Sequence, residues 1–172
     1  METTQIKQLA LSLENNSTSG ERLSALEDLQ HIAKKQNMAA LVGVHALSTI
    51  LHFLSQQQAT VEEYQEALDL IYRHALNQFA ADYGSFDFCM IRLVKSREGD
   101  TAASNASIIL SDTSYIELLL DLLDHEDLTV GVMASQILTE IHSQDGTTLE
   151  AQIQKCPDGV NYLSKFQLFP TY

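Results

Sequence analysis

The sequence predicts an all-α protein built from repeated helical hairpins. Three observations predict it. The stretch 41–76, LVGVHALSTILHFLSQQQATVEEYQEALDLIYRHAL, reads as two amphipathic helices around a polar joint. The 172 residues contain only 7 Gly and 2 Pro, too few for a many-turned β fold. Copies of the hairpin pattern recur before and after it.

The hairpin itself is legible residue by residue. Leu47, Ile50, Leu51 and Leu54 recur at helical spacing in its first arm. Val61, Tyr64, Leu68, Ile71, Tyr72 and Ala75 do so in the second, with Thr60 placed to cap it. Such a pair carries more apolar surface than it can bury against itself.

Taken in order, residues 2–13 predict a first helix with an imperfect stripe of Ile6, Leu9, Leu11 and Leu13. Asn15 to Gly20 has the composition of a loop. Glu21 to Lys35 predicts a helix with Leu23, Leu26, Leu29 and Ile32 three apart. From Asn77 to about Ser107 the pattern weakens, with a short helix expected over 84–95 and a flexible inserted loop over 96–107, SREGDTAASNAS. Tyr115 to Leu123 is apolar on nearly all sides and belongs in the middle of a stack. Thr129 is expected to open the next helix, with Val130, Ala134, Ile137, Leu138 and Ile141 on one face. Gln144-Asp145-Gly146 ends it, Thr147 caps a short helix through Ile153, Pro157 stops that one, and Asp158 can cap a last helix over 159–166.

The arms repeat. ALEDLQHIA at 25–33 matches ALDLIYRHA at 67–75 with an offset of 42 residues, inside the ~40–47 period of armadillo and HEAT repeats. Thr60-Val61 pairs with Thr129-Val130 further on. The excess over one period is about the length of the irregular stretch 80–107, so about three repeats with one insertion account for the chain. An ordinary bundle of similar helices is the alternative.

Charge and cysteines bound the function. Lys and Arg total 10 against 23 Asp and Glu, a formal net charge of −13. That argues against a nucleic-acid backbone or unaided anionic lipid as main partner, since both need clustered cations. Cys89 and Cys156 have no CxxC partner and form no disulfide framework, which fits reduced thiols. No signal peptide is expected from the N-terminal residues, and no run approaches the ~20 apolar residues of a membrane span. An acidic, soluble, intracellular protein is expected.

No catalytic signature is found: no HExxH, GxSxG, GxGxxG or phosphate loop. Neither a metal site nor a cofactor is expected, and the chain is expected not to be an enzyme. Each of the six histidines is expected to be a packing or surface side chain. The cluster Asp124, His125, Glu126 and Asp127 lacks the Gly and spaced oxygens of a calcium loop. An enzyme reading would need His125, Asp124 and Asp127 to converge on a closed pocket. Apolar neighbours Phe88 and Met90 make Cys89 inert. Cys156, beside Lys155 at a helix end, is the only candidate reactive thiol, with an inert one the default. The acidic run Glu62, Glu63, Glu66 and Asp69 reads as the solvated face of its helix. Glu62, Glu66 and Asp69, with Arg73, are the candidate partner-binding residues, because such a face can line a concave surface in a repeat stack.

These segments resemble a family. LVGVHALSTILHFLSQQQATVEEYQEALDLIY, the preceding ERLSALEDLQHIAKKQ, the later SYIELLLDLLDHEDLTVGVMASQILTEIHS and the turn CPDGVNYL are similar, in order and spacing from Glu2 to Leu163, to the armadillo-like head of the golgin-type vesicle-tethering factors, also called general vesicular transport factors. The motifs concern packing and carry no chemistry. The resemblance implies a non-enzymatic, cytosolic protein, peripheral on Golgi membranes and transport vesicles. It implies ER-to-Golgi and intra-Golgi traffic, with Rab-type small GTPases, SNARE proteins and Golgi proteins as partners. The family's long coiled coil and acidic tail have no counterpart here. The ending FQLFPTY departs from the pattern, so a fragment or truncated product is expected, and the final repeat, lacking a polar cap, is expected to present an apolar end surface. A scaffold or adaptor with the same repeat physics, unrelated to membranes, is the alternative.

Overall fold

The computed structural model describes residues 2–14, 18–35, 38–56, 58–72, 101–159 and 161. Every regular element among them is helical. The helices are α1 Glu2–Glu14, α2 Ser19–Lys34, α3 Met38–Ser55, α4 Val61–Asp69, α5 Thr101–Leu110, α6 Thr113–Leu122 and α7 Leu128–Lys155.

They stack in two layers. α1, α3 and α6 follow one another in the first, and α2, α4 and α7 in the second. α1 pairs with α2, and α6 with α7, across the layers. This is the all-α solenoid predicted from the sequence, and each hairpin covers the apolar face that its neighbour leaves open.

The 42-residue offset reflects real equivalence. Ala25, Leu26 and Leu29 of α2 and Ala67, Leu68 and Ile71 of α4 are all buried. The two helices also begin with the same device. Thr18 Oγ1 accepts from Glu21 N at 3.3 Å while Glu21 Oε2 accepts from Thr18 N at 2.7 Å. Thr60 Oγ1 accepts from Glu63 N at 3.2 Å while Glu63 Oε2 accepts from Thr60 N at 2.6 Å. Each box satisfies two backbone donors that the first turn would leave without a partner. Thr18 thus belongs to a cap and not to the loop that its neighbours' composition suggests.

α3 is the central element. Ile50, Leu51 and Leu54 are buried, as the spacing predicts. Its 18 residues are apolar enough to cross a membrane by length and composition, and 56% of them are buried in the stack. The sequence scan missed this because His45, Ser48, Thr49 and His52 interrupt the run. The apolar excess has a structural cause: α3 lies between α1 and α6 and also meets α2.

Within α3, Gly43–Leu47 forms a π-helical turn. Gly43 faces the buried Asn105 of α5, and a Cβ built on Gly43 would lie 1.7 Å from Asn105 Oδ1. Only glycine permits that approach.

Several sequence expectations are corrected. Residues 101–107 are helical, so the loop expected over 96–107 ends by Thr101; residues 96–100 lie outside the described residues. Serine, asparagine and threonine there suggested a loop, but Ala102, Asn105 and Ala106 form one buried side of α5. Leu11 is 51% exposed, and the buried stripe of α1 is Ile6, Ala10 and Leu13. Val61, at the first turn of α4, is 38% exposed. Asp127, not Thr129, caps α7: its Oδ1 accepts from Val130 N at 3.0 Å. Independently of the cap, the buried Ile137, Leu138 and Ile141 align with Ala67, Leu68 and Ile71, one residue further along than the Thr-Val pairing suggests.

The break at 144–146 is a kink inside α7, where Asp145 has φ −154° and ψ 77°. Asp145, rather than Thr147, caps the second half: Oδ1 accepts from Thr148 N at 3.1 Å and Oδ2 from Thr148 Oγ1 at 2.6 Å. That half closes on α5 and α6 through one side chain. Gln152 Nε2 donates to Leu110 O at 2.7 Å, and Gln152 Oε1 accepts from Thr113 Oγ1 at 2.6 Å. The first of these satisfies a carbonyl at the end of α5. The helix expected over 84–95, most of the last helix over 159–166, Cys89 and the apolar end surface lie outside the described residues.

Candidate functional site

Three of the candidate docking residues, Glu62, Glu66 and Asp69, sit on α4, whose Thr60 cap is completed by its own third residue, Glu63. Glu62 is exposed, whereas Glu66 and Asp69 are half-buried; Arg73 lies outside the described residues. Glu66 is engaged at the seam with α2. Gln30 Nε2 donates to Glu66 Oε2 at 2.8 Å and to Glu66 O at 3.2 Å. Burial first, then the charges of Glu27 and Asp69, push the Glu66 carboxyl above its ordinary value. The far side of α4 is tied to α7, where Gln65 Nε2 donates to Asp127 Oδ1 at 3.2 Å. Glu62, Glu66 and Asp69 still follow one helical face, but Glu66 is held between two repeats.

Glu63 overturns the reading of this run as solvated. Its side chain is fully buried. Oε2 serves the cap, while Oε1 accepts from Arg22 Nε of α2 at 2.6 Å. The Arg22 guanidinium carbon stands 5.6 Å from the centre of the Phe53 ring of α3, a cation–π contact. One carboxylate therefore caps α4 and fastens it to the preceding repeat. Sequence reasoning missed this pair. The capping box alone gave no signal for it, since Glu21 holds the same position in the first box and is exposed.

The 124–127 turn does not form a closed pocket. His125 Nδ1 accepts from Asp127 N at 3.0 Å, and the His125 ring lies 5.2 Å from that of Tyr64, tilted by 59°. Asp127 caps α7, and its carboxyl is held below the ordinary range chiefly by the Val130 N–H. Asp124 is exposed. The convergence that an enzyme reading requires is absent, because these groups end one helix and start the next. No group of three His, Cys, Asp or Glu side chains is placed to hold a metal among the described residues.

Cys156 is buried at the end of α7, where its Sγ donates to Gln152 O at 3.3 Å. Burial first, then the charges of Glu117 and Asp121, push the thiol up. A protonated, covered thiol is a poor nucleophile.

No family model matches the chain. In sequence it is similar to golgin candidate 6 of Arabidopsis thaliana, 24% identical over 163 residues. That match covers 94% of this chain and 17% of the relative. In structure it is similar to the crystal structure of Uso1-1, with a TM-score of 0.74 and 12% identity. That match covers 98% of this chain and 27% of the other. The chain thus spans about a sixth of the curated relative and about a quarter of the solved one. The likeness to Uso1-1 establishes the fold, and the sequence likeness points to golgins.

Proposed function

We propose that this chain is a protein-docking module of a Golgi vesicle tether, acting in ER-to-Golgi and intra-Golgi transport without making or breaking bonds. The observation that carries the reading is the golgin likeness over nearly the whole chain on a stack of helical hairpins. A stack of this kind exposes an extended surface suited to other proteins. The described polar clusters are used for caps and inter-repeat ties, which supports binding over catalysis. Rab-type small GTPases, SNARE proteins and Golgi proteins are the proposed partners, and the location is peripheral, on Golgi membranes and transport vesicles.

The test is affinity capture from cytosol and from detergent-solubilised Golgi membranes, with the tagged full chain as bait. Enrichment of a Rab GTPase, a SNARE or a Golgi protein over a tag-only control supports the reading. Reproducible enrichment confined to proteins of other compartments refutes it, and favours a scaffold unrelated to trafficking.

A further inference from the structure

Two neighbouring helices start with an exposed apolar residue at the same position. Val61 follows the Thr60 cap of α4, and Leu128 follows the Asp127 cap of α7. Val61 is 38% exposed and Leu128 80%. α4 and α7 pack side by side in one layer, and the Gln65–Asp127 bond ties the start of α7 to α4. Val61 and Leu128 therefore share one rim of the stack. Val132, 47% exposed, adds a third apolar side chain one turn along α7 from Leu128.

Neither packing nor helix propensity accounts for these residues. All three keep much of their surface in water, and a β-branched residue at an exposed helical position such as 132 lowers helix stability. Exposed apolar side chains scattered singly are ordinary, but a run of them on one rim marks a contact surface. The rim is also acidic. Glu62 and Glu126, beside Val61 and Leu128 in the chain, are exposed. Residues 58–72 and 124–139 contain no lysine or arginine. The positive ends of α4 and α7 carry about half a charge each, so Glu62, Glu126 and Asp127 outweigh them.

We infer that this rim docks a basic amphipathic segment of a partner protein, its apolar residues on Val61, Leu128 and Val132 and its Lys or Arg residues beside Glu62 and Glu126. The inference rests on the docking-module reading and adds the surface and the partner's chemistry. Charge complementarity selects the occupant. A second copy of this chain would set carboxylates against carboxylates on the same rim, and an anionic lipid surface would be repelled in the same way. A cationic helix with one apolar face matches both the apolar residues and the charge.

The test uses a dye-labelled synthetic helix of leucine and lysine, with leucine on one face, read by fluorescence anisotropy on the full chain. Leu128→Ser/Val132→Thr is expected to weaken binding at least ~10-fold. Leu11→Ser/Val44→Thr removes exposed apolar surface from α1 and α3, where the two residues are 51% and 65% exposed, and is expected to stay within ~2-fold. Glu62→Gln/Glu126→Gln is expected to weaken binding ~3-fold or more and to flatten its salt dependence. All three variants replace exposed side chains, and matching thermal melts confirm that they fold. Equal weakening by the first two variants overturns the inference, since the peptide would then adhere to any exposed apolar residue. Equal binding of a peptide with glutamate for lysine overturns it too, as does failure of the unaltered chain to bind the lysine peptide. The peptide assay contains no trafficking protein, so the two readings fail separately. If the Leu128/Val132 variant captures from Golgi extracts every trafficking protein that the unaltered chain does, the rim proposal fails and the tether reading stands. If the peptide results hold while only proteins of other compartments are captured, the rim proposal stands and the tether reading fails.

Discussion

Removing the carboxylate of Glu63 tests how the repeats are fastened together. In Glu63→Ala the α4 cap loses its reciprocal partner, worth about 1 kcal/mol. Arg22 Nε loses its 2.6 Å acceptor. Breaking a buried ion pair costs roughly 3–5 kcal/mol. The Arg22 side chain is 18% exposed, so part of that cost is relieved when the guanidinium turns to water. The expected total is about 3 kcal/mol. For a domain of this length that lowers Tm by roughly 6–12 °C. A double-mutant cycle isolates the pair. Glu63→Gln keeps a capping box while removing the charge. Arg22→Met keeps the stem over Phe53 while removing the cation. Urea denaturation of both single variants and the double variant should give a coupling of about 1.5–3 kcal/mol, with the double less destabilised than the sum of the singles. Additivity within ~0.5 kcal/mol would show that the buried contact adds nothing to repeat docking, and the reasoning would be wrong.

Other outcomes follow from the same structure. Leu68→Ala, at a fully buried position of α4, should cost roughly 2–5 kcal/mol in urea denaturation, and an unchanged midpoint would remove Leu68 from the seam. Gly43→Ala gains about 0.8–1.0 kcal/mol of helix propensity, but its methyl would sit 1.7 Å from Asn105 Oδ1. The clash should win, leaving the variant about 1 kcal/mol or more less stable, and adding Asn105→Ala should recover part of the loss. Asp112 caps α6, its Oδ1 accepting from Ser114 N at 2.9 Å, and like the caps Asp127 and Asp145 it has a carboxyl held below its ordinary value of 3.8 by the N–H and O–H groups it accepts from. Their folded values are lowered, so the stability they add is present above about pH 4 and is lost as pH falls through the folded values. Asp127→Asn should therefore flatten the acid limb of the Tm–pH curve relative to the unaltered chain. An unchanged acid limb would show that the cap does not titrate with folding.

The two-layer stack was legible in the sequence because burial periodicity and repeat length are local signals. Ala25-Leu26-Leu29 and Ala67-Leu68-Ile71 carry the repeat in their spacing alone, and Thr60 declares the helix that it caps. The candidate site was only partly legible. Glu62 is exposed as expected, yet Glu63 beside it is buried, and its charge type said nothing of its direction. Where composition served in place of periodicity, it misled: SREGDTAASNAS suggested a loop, although Ala102, Asn105 and Ala106 space out a buried helical side.

The sequence by itself determined the helices, most of their inward faces and the repeat that stacks them, since those depend on residues three, four and 42 positions apart in one chain. Only the tertiary structure decided which polar groups the stack consumes. Arg22 meets Glu63, Gln65 meets Asp127, and Gln152 joins α5 to α6 across distances in sequence that no local pattern encodes. The direction of a long polar side chain is set by what lies beside its helix, and that neighbour exists only once the repeats have packed.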